Sequence, residues 1–149
     1  MTTSNAPAAT TPVATAQLQP YIFFYGRCEE ALQFYKEALG GSYESMYVKD
    51  TPVAEQFPPE ASGKVMHASF TAPGIAFFAS DGREEKTIDP DAGNIAMALS
   101  FTDGPEGERV FNALSAGGKV TMPLDKAFWG GRFVEFVDRF GIDWMMTLP

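Results

Sequence analysis

The sequence contains one order of predicted elements twice. A segment with helical spacing ends in Leu-Gly-Gly at 39–41, and a second one ends in Ala-Gly-Gly at 116–118. A strand precedes each segment, and a strand, a long loop and a hairpin follow it, with Gly74 and Gly141 in the two hairpin turns. Self-similarity at a fixed period constrains a fold more strongly than a single motif does. The pattern therefore predicts an α+β protein built from two tandem βαβββ modules.

The element boundaries follow from apolar periodicity and from glycine and proline breaks. The predicted strands are 20–25, 42–48, 65–72, 75–80, 94–101, 119–122, 133–137 and 143–148, and the predicted helices are 28–39 and 105–116. We expect a disordered tail at 1–18 and a single domain at 19–149, with module one at 19–81, a linker at 82–93 and module two at 94–148. The acidic residues from Asp81 to Asp91 are interpreted as part of a solvated linker.

Each predicted helix is apolar on one side only, so it covers one face of its sheet. The other face of each sheet must be covered or used. Two such sheets placed side by side curl into a half-open barrel whose concave faces line a cleft, and clefts are where small ligands bind. The sequence therefore predicts a small-molecule ligand in this concave cleft.

The composition excludes several kinds of site. The chain of 149 residues has one His and one Cys, so it forms neither an intramolecular disulfide nor a multi-His metal site. A formal net charge of −8 argues against binding to a nucleic acid backbone, which requires a basic patch. The apolar runs are shorter than the roughly 20 residues of a membrane-spanning helix, and the N-terminus lacks the features of a signal peptide. We therefore expect a cytoplasmic protein in which Cys28 is an inert thiol.

Five local motifs resemble those of a known family. They are PYIFF at 20–24, ALQFYK at 31–36, MHA at 66–68, FWGGRF at 128–133 and DRFGIDW at 138–144. With the doubled βαβββ order, they resemble the vicinal oxygen chelate superfamily, which includes glyoxalase I, extradiol dioxygenases, fosfomycin-resistance enzymes and bleomycin-binding proteins, and within it the PhnB-like branch. The resemblance implies a glyoxalase-like fold and a homodimer. That branch is often given a demethylubiquinone methyltransferase-like label, but this chain has no Gly-rich fingerprint for a nucleotide-like cofactor.

The resemblance also defines four positions at which metal-using members hold their ion. Two lie at the start of the first strand of each half, and two lie in the last strand of each half. Aligned on the glycine turns, these positions are Pro20, Phe78, Asn94 and Met145. Three of these side chains have no hard donor, whereas a catalytic metal needs about three protein ligands. This sequence departs from the metal-chelating pattern at all four positions, so we expect no metal, and we expect no other cofactor.

Strand alternation predicts which side chains line the cleft. In the strand 65–72, the cleft side is expected to hold His67, Ser69 and Thr71, and the helix side Met66, Ala68 and Phe70. In the strand 94–101, the cleft side is expected to hold Asn94, Ala96, Ala98 and Ser100, and the helix side Ile95, Met97, Leu99 and Phe101. The expected apolar walls are Phe24, Phe78, Trp129 and Met145.

From these positions we predict one catalytic candidate and six ligand-binding residues. The catalytic candidate is His67, because histidine is the usual side chain for proton transfer near neutral pH. The predicted ligand-binding residues are Ser69, Phe78, Asn94, Ser100, Trp129 and Met145. Asp138 and Gly141 have the spacing of a structural turn.

Three functions are compatible with these residues. The first is a metal-independent binding protein, similar to the bleomycin-binding members. The second is an enzyme that acts on a small carbonyl or hydroxylated metabolite with His67 as acid or base. The third, a metal-dependent lyase or dioxygenase completed by a partner chain, is disfavoured because each chain has only one His. The sequence leaves open whether the protein is an enzyme, and whether the modules pair within one chain or between two.

Overall fold

A computed structural model of the chain describes residues 15–91 and 93–149. The predicted tail at 1–18 therefore lies largely outside the described residues. In the described part, the strands are β1 (Tyr21–Phe23), β2 (Ser42–Tyr47), β3 (Val65–Ala72), β4 (Ile75–Ser80), β5 (Met97–Ser100), β6 (Lys119–Lys126), β7 (Arg132–Val137) and β8 (Asp143–Leu148), and the α-helices are α1 (Cys28–Leu39) and α2 (Gly104–Ser115). Three short 3₁₀ helices lie between β2 and β3, at Val48–Asp50, Ala54–Gln56 and Pro59–Ala61.

The strands form two open four-stranded sheets of the same topology. The first sheet has the order β1-β4-β3-β2 and the second has the order β5-β8-β7-β6. In both sheets the first strand pairs in parallel with the last, and the other pairs are antiparallel. The predicted α+β fold of two βαβββ modules is confirmed.

The two modules share one hydrophobic core, which lies on the helix side of both sheets. Helix α1 buries Ala31, Leu32, Tyr35 and Ala38, whose spacing follows one stripe of an amphipathic helix. The Tyr35 ring lies 5.8 Å, centroid to centroid, from the ring of Trp144 in the second sheet. Aromatic contacts of this kind join the two halves into one core.

A buried carboxyl group reinforces that junction. The Asp138 side chain accepts hydrogen bonds from the Tyr35 hydroxyl at 2.5 Å and from Trp144 Nε1 at 2.9 Å. It also accepts the backbone N–H groups of Phe140 and Ile142, at 2.8 and 3.1 Å. The backbone N–H of Gly141 donates to the Asp138 carbonyl, so the predicted turn is confirmed. Burial and the neighbouring carboxyl raise the pKa of Tyr35, which therefore stays a donor.

A second acid, Asp81, is buried, so the interpretation of 81–91 as a solvated linker is wrong at this residue. Its side chain is buried and accepts the backbone N–H groups of Cys28 and Val65, both at 2.8 Å. The first N–H groups of a helix have no partner within the helix, and Arg27, before α1, has no side-chain cap bond. Asp81 supplies that cap from the end of β4. Burial raises the pKa of the Cys28 thiol, which agrees with the expectation of an inert group.

The strand boundaries of the second half differ from the prediction. Strand β5 begins at Met97 rather than 94, so Ile95, expected against the helix, is 82% exposed instead. Strand β6 continues past Pro123 to Lys126, with two register shifts against β7. Proline has no N–H for the ladder and is accommodated at such irregularities. The β6–β7 hairpin is consequently longer, and its loop shorter, than the sequence pattern indicates.

Candidate functional site

The helix-free face of the first sheet carries aromatic side chains that the fold leaves uncovered. Strand pairing places Tyr21 beside Phe78, Phe78 beside Ser69, and Met46 beside His67. Tyr21 is 42% exposed and Met46 is 51% exposed. The structure therefore brings together three of the predicted site residues, His67, Ser69 and Phe78, on one face.

His67 is oriented by a phenol. The Tyr21 hydroxyl lies 3.2 Å from His67 Nδ1, and the Phe78 ring lies 5.2 Å from the imidazole, centroid to centroid. When the hydroxyl donates, Nδ1 is the acceptor nitrogen and Nε2 carries the hydrogen. Tyr21 lies within the predicted strand 20–25, so alternation along that strand could have placed it on the open face with Phe23. The sequence pattern instead predicts Phe24 as a wall residue.

The structure contradicts the prediction that Phe24 lines the cleft. It is 3% exposed and packs in the core against Tyr35 and Phe140. Side chains alternate along an extended chain, so Phe24 lies on the helix side while Tyr21 and Phe23 point to the helix-free side.

The prediction that Met66 lies on the helix side is also wrong, because a β-bulge changes the alternation at this residue. Met46 pairs with His67, but the next residue, Tyr47, pairs with Val65. Met66 is thus an extra residue opposite the β2 ladder, and a bulge redirects the side chain at that position. Instead of packing on the helix, Met66 lines a cavity beside Tyr21.

That cavity, of about 500 Å³, lies between the first sheet and the loop that contains the 3₁₀ helices. Its apolar lining includes Tyr21, Phe23, Phe57 and Met66, and its charged lining consists of Lys64 and Arg83. The Arg83 guanidinium carbon lies 5.2 Å from the centre of the Phe57 ring. Sequence reasoning missed Phe57 and Arg83 because both lie in loops, where periodicity positions no side chain.

The second sheet brings together another pair of predicted residues. Asn94 precedes β5 and lines a cavity of about 400 Å³ with Met145 and Glu135. Ser100 lies on the same helix-free face and accepts a hydrogen bond from the Thr147 hydroxyl at 3.1 Å. Six of the seven predicted site residues therefore fall into two groups, one on each module.

Trp129 lies at the tip of the β6–β7 hairpin. It is 58% exposed and contacts Phe128 and Phe133, with ring centroids 4.7 and 5.5 Å apart. The backbone N–H of Gly130 donates to the Ala127 carbonyl, which closes the turn. This exposed aromatic tip belongs to neither of the two cavities.

Of the four positions expected from the resemblance, Phe78 and Met145 lie in the last strands of the two sheets, and Pro20 and Asn94 lie before the first strands. Phe78 lies beside Tyr21, and Met145 lies beside Ala98. Within residues 15–91 and 93–149, no three His, Cys, Asp or Glu side chains are arranged to hold a metal ion. The donor set at these positions does not fit a catalytic metal.

The helices of the described ranges are all too short or too polar to cross a membrane.

Comparison with known proteins supports the assignment of the fold. A family model for 3-demethylubiquinone-9 3-methyltransferase matches residues 16–147. Protein PA1353 from Pseudomonas aeruginosa is 36% identical, with a TM-score of 0.76 over 90% of this chain and 98% of that one. The PhnB protein from Bacillus cereus, described as a putative 3-demethylubiquinone-9 3-methyltransferase, is 24% identical, with a TM-score of 0.69 over 90% of this chain and 100% of that one.

A more distant likeness concerns the fold alone. A glyoxylase/bleomycin resistance protein/dioxygenase domain from Frankia sp. EAN1pec is 16% identical, with a TM-score of 0.62 over 90% of this chain and 97% of that one. The family match over most of the chain shows that this chain belongs to the 3-demethylubiquinone-9 3-methyltransferase family, and the paired βαβββ sheets show that it has the glyoxalase-like fold.

Proposed function

We propose that this chain is a metal-independent, cytoplasmic small-molecule-binding protein of the glyoxalase/bleomycin-resistance type. The observation that carries the proposal is the uncovered aromatic face around His67. Folding buries aromatic surface wherever it can, so a cluster of partly exposed rings on a sheet face is typical of a binding surface. Phe78 and Tyr21 supply apolar contact, while His67 and Ser69 supply hydrogen-bonding groups.

A second copy of the chain supplies the remainder of the proposed site. Each module leaves its helix-free face open, with Met46 and Phe23 about half exposed on the first, and Met122 and Trp129 about half exposed on the second. In a homodimer, the second module of one copy would cover the first module of the other. This arrangement would unite the two groups of predicted site residues that one chain keeps apart.

The dimer is expected to sediment at twice the 16.2-kDa chain mass. Met122→Lys is expected to shift it to monomer, because a charge then replaces an apolar contact at the interface. Glu135, which pairs with Met122 in the sheet, can neutralise the new lysine within the monomer. Asn112→Lys, on an exposed position of α2, is the matched control and should leave the mass unchanged. A monomeric wild-type protein at micromolar concentration would contradict this part of the proposal.

An enzymatic function is the second candidate, and the contact between Tyr21 and His67 favours it. A hydrogen-bonded imidazole on a binding surface can transfer a proton to or from a bound carbonyl or hydroxyl compound. We therefore keep an acid–base enzyme for small carbonyl or hydroxylated metabolites as the alternative.

A thermal-shift screen of small metabolites tests the binding function. A compound present at 100 times its Kd should stabilise the protein by about 2.7 kcal/mol, or roughly 5–10 °C in Tm. Phe78→Ala should weaken a hit about tenfold or more, because it removes a wall of the site. The control Phe111→Ala removes a half-buried ring of α2 that contacts Phe136, and it should leave the affinity unchanged.

Variants of His67 then separate the two functions. If a hit binds the wild-type protein and neither the wild type nor His67→Ala converts it, the binding function holds. Conversion that disappears in His67→Ala would establish the enzyme instead. A hit whose affinity is the same in Phe78→Ala and Phe111→Ala would place the ligand elsewhere and refute the proposed site.

A further inference from the structure

The cavity beside the aromatic face has an electrostatic character opposite to that of the chain. The protein carries a formal net charge of −8, yet the charged side chains that line this cavity are Lys64 and Arg83. No carboxylate belongs to its lining. A cavity that concentrates positive charge within an acidic protein favours an anionic ligand.

Arg83 is available to such a ligand. Its guanidinium lies over the Phe57 ring, and within the described ranges it takes part in no ion pair. Stacking on an aromatic ring holds the guanidinium plane while leaving its edge N–H groups free. Arginine in this state can donate two parallel hydrogen bonds to a carboxylate.

Lys64 adds a weaker positive charge. Its Nζ atom lies 3.5 Å from the Glu85 carboxylate, and the Glu85 side chain is 92% exposed. Exposed pairs at this distance contribute little to stability. An incoming anion can therefore replace Glu85 as the partner of Lys64 at small cost.

The rest of the lining is largely apolar, with Gln56 and Ser80 as its polar side chains. Tyr21, Phe23, Phe57 and Met66 surround the cavity, and Tyr21 also contacts His67. Its volume of about 500 Å³ lies within the roughly 300–1,000 Å³ of small-molecule sites. An aromatic ring system would contact these walls while its charged group reaches Arg83.

We infer that this cavity selects a flat, apolar molecule that carries a single anionic group, such as an aromatic carboxylate, with Arg83 as the principal anion contact. The inference rests on the proposed binding function, because it names the ligand class of the same face. It places the apolar part of the ligand beside Tyr21 and Phe57 and the anion at the mouth of the cavity.

Titration calorimetry with 2-naphthoate and its neutral analogue 2-naphthalenemethanol tests the inference. The naphthoate should bind about tenfold more tightly than the alcohol, a difference of about 1.4 kcal/mol. Arg83→Gln should abolish that preference by weakening naphthoate alone, and added salt should have the same effect. Phe57→Ala should weaken both compounds, because it removes the wall that they share.

Arg139→Gln is the matched control. Arg139 also stacks on a phenylalanine, 4.3 Å from the centre of the Phe34 ring, but it lies outside this cavity. The change removes the same charge and should leave both affinities unaltered. Unchanged urea unfolding of both arginine variants would show that neither effect reflects misfolding.

Two outcomes would overturn the inference. If both compounds bind equally and Arg83→Gln changes neither, the cavity does not select anions, although the proposed binding function stands. If neither compound binds, the ligand class is wrong. The metabolite screen with Phe78→Ala then decides separately whether the proposed function fails as well.

Discussion

Replacing Asp138 by alanine is expected to lower the free energy of unfolding by about 4 kcal/mol. The buried carboxyl group accepts four hydrogen bonds, two from backbone N–H groups and two from the side chains of Tyr35 and Trp144. Alanine leaves these donors without partners in a site that excludes water, and a buried unpaired donor costs about 1–3 kcal/mol. Because typical domains are stable by only 5–15 kcal/mol, the variant should be close to unfolding.

Urea unfolding followed by tryptophan fluorescence measures this effect. Asp50→Ala, which changes an exposed acid after β2, should cost less than about 0.5 kcal/mol. Tyr35→Phe keeps the ring contacts and removes one of the four donors, so it should cost about 1 kcal/mol. If Asp138→Ala were no more destabilising than Asp50→Ala, the carboxyl group would not be what joins the two halves.

Gly41→Ala is expected to be similarly damaging, by about 4 kcal/mol. The residue has a φ of +83°, and an added Cβ atom would lie 2.2 Å from the carbonyl oxygen of Thr71 and 2.7 Å from the Cβ of Ala72. Both neighbours belong to β3, so the clash can be relieved only by separating β2 from β3. Backbone strain and steric overlap therefore add at this position.

The adjacent glycine provides an internal control. Gly40 also has a positive φ, +78°, but an added Cβ atom would meet nothing within 4 Å. Gly40→Ala should therefore cost only the backbone strain, about 1–2 kcal/mol. Urea unfolding of the two variants separates the terms, and equal losses would show that the contact with β3 is unimportant.

This difference explains the repeated glycine pairs from which the fold was predicted. The sequence pattern predicts that both glycines of each pair end a helix. In the structure the second glycine allows close approach to a neighbouring strand: an added Cβ at Gly118 would lie 2.0 Å from the Val137 carbonyl oxygen, as one at Gly41 would lie close to Thr71. The repeat was detectable because two equivalent sheets impose the same steric requirement twice.

Periodicity predicted the elements well wherever the apolar pattern was long. Helix α1 and strands β3, β4 and β8 begin and end where the sequence pattern places them. Short or interrupted patterns were less informative. Strand β5 lacks partners before Met97. Because proline usually ends a strand, the sequence pattern did not predict that β6 continues past Pro123.

The candidate site was predicted only in part. His67, Ser69 and Phe78 were placed correctly on one face, because alternation in regular strands is reliable. Met66 was misplaced since a bulge inverts the alternation, and no local residue signals it. Arg83 and Phe57 meet across two loops, which is a tertiary contact that a pattern along one strand does not contain.

The two acids that cap the helices have a consequence for how each half folds. Asp103 caps α2 by accepting the backbone N–H of Glu106, three residues away, whereas Asp81 caps α1 from 53 residues away. A cap within one turn can form as soon as the helix does, but a distant cap exists only after the intervening chain has closed, and such closure slows folding. Opening of the first turn of α2 is then a local event. Opening of the first turn of α1 instead frees the Asp81 side chain, which also accepts the N–H of Val65 at the start of β3, so the two equivalent halves differ in cooperativity despite their shared topology.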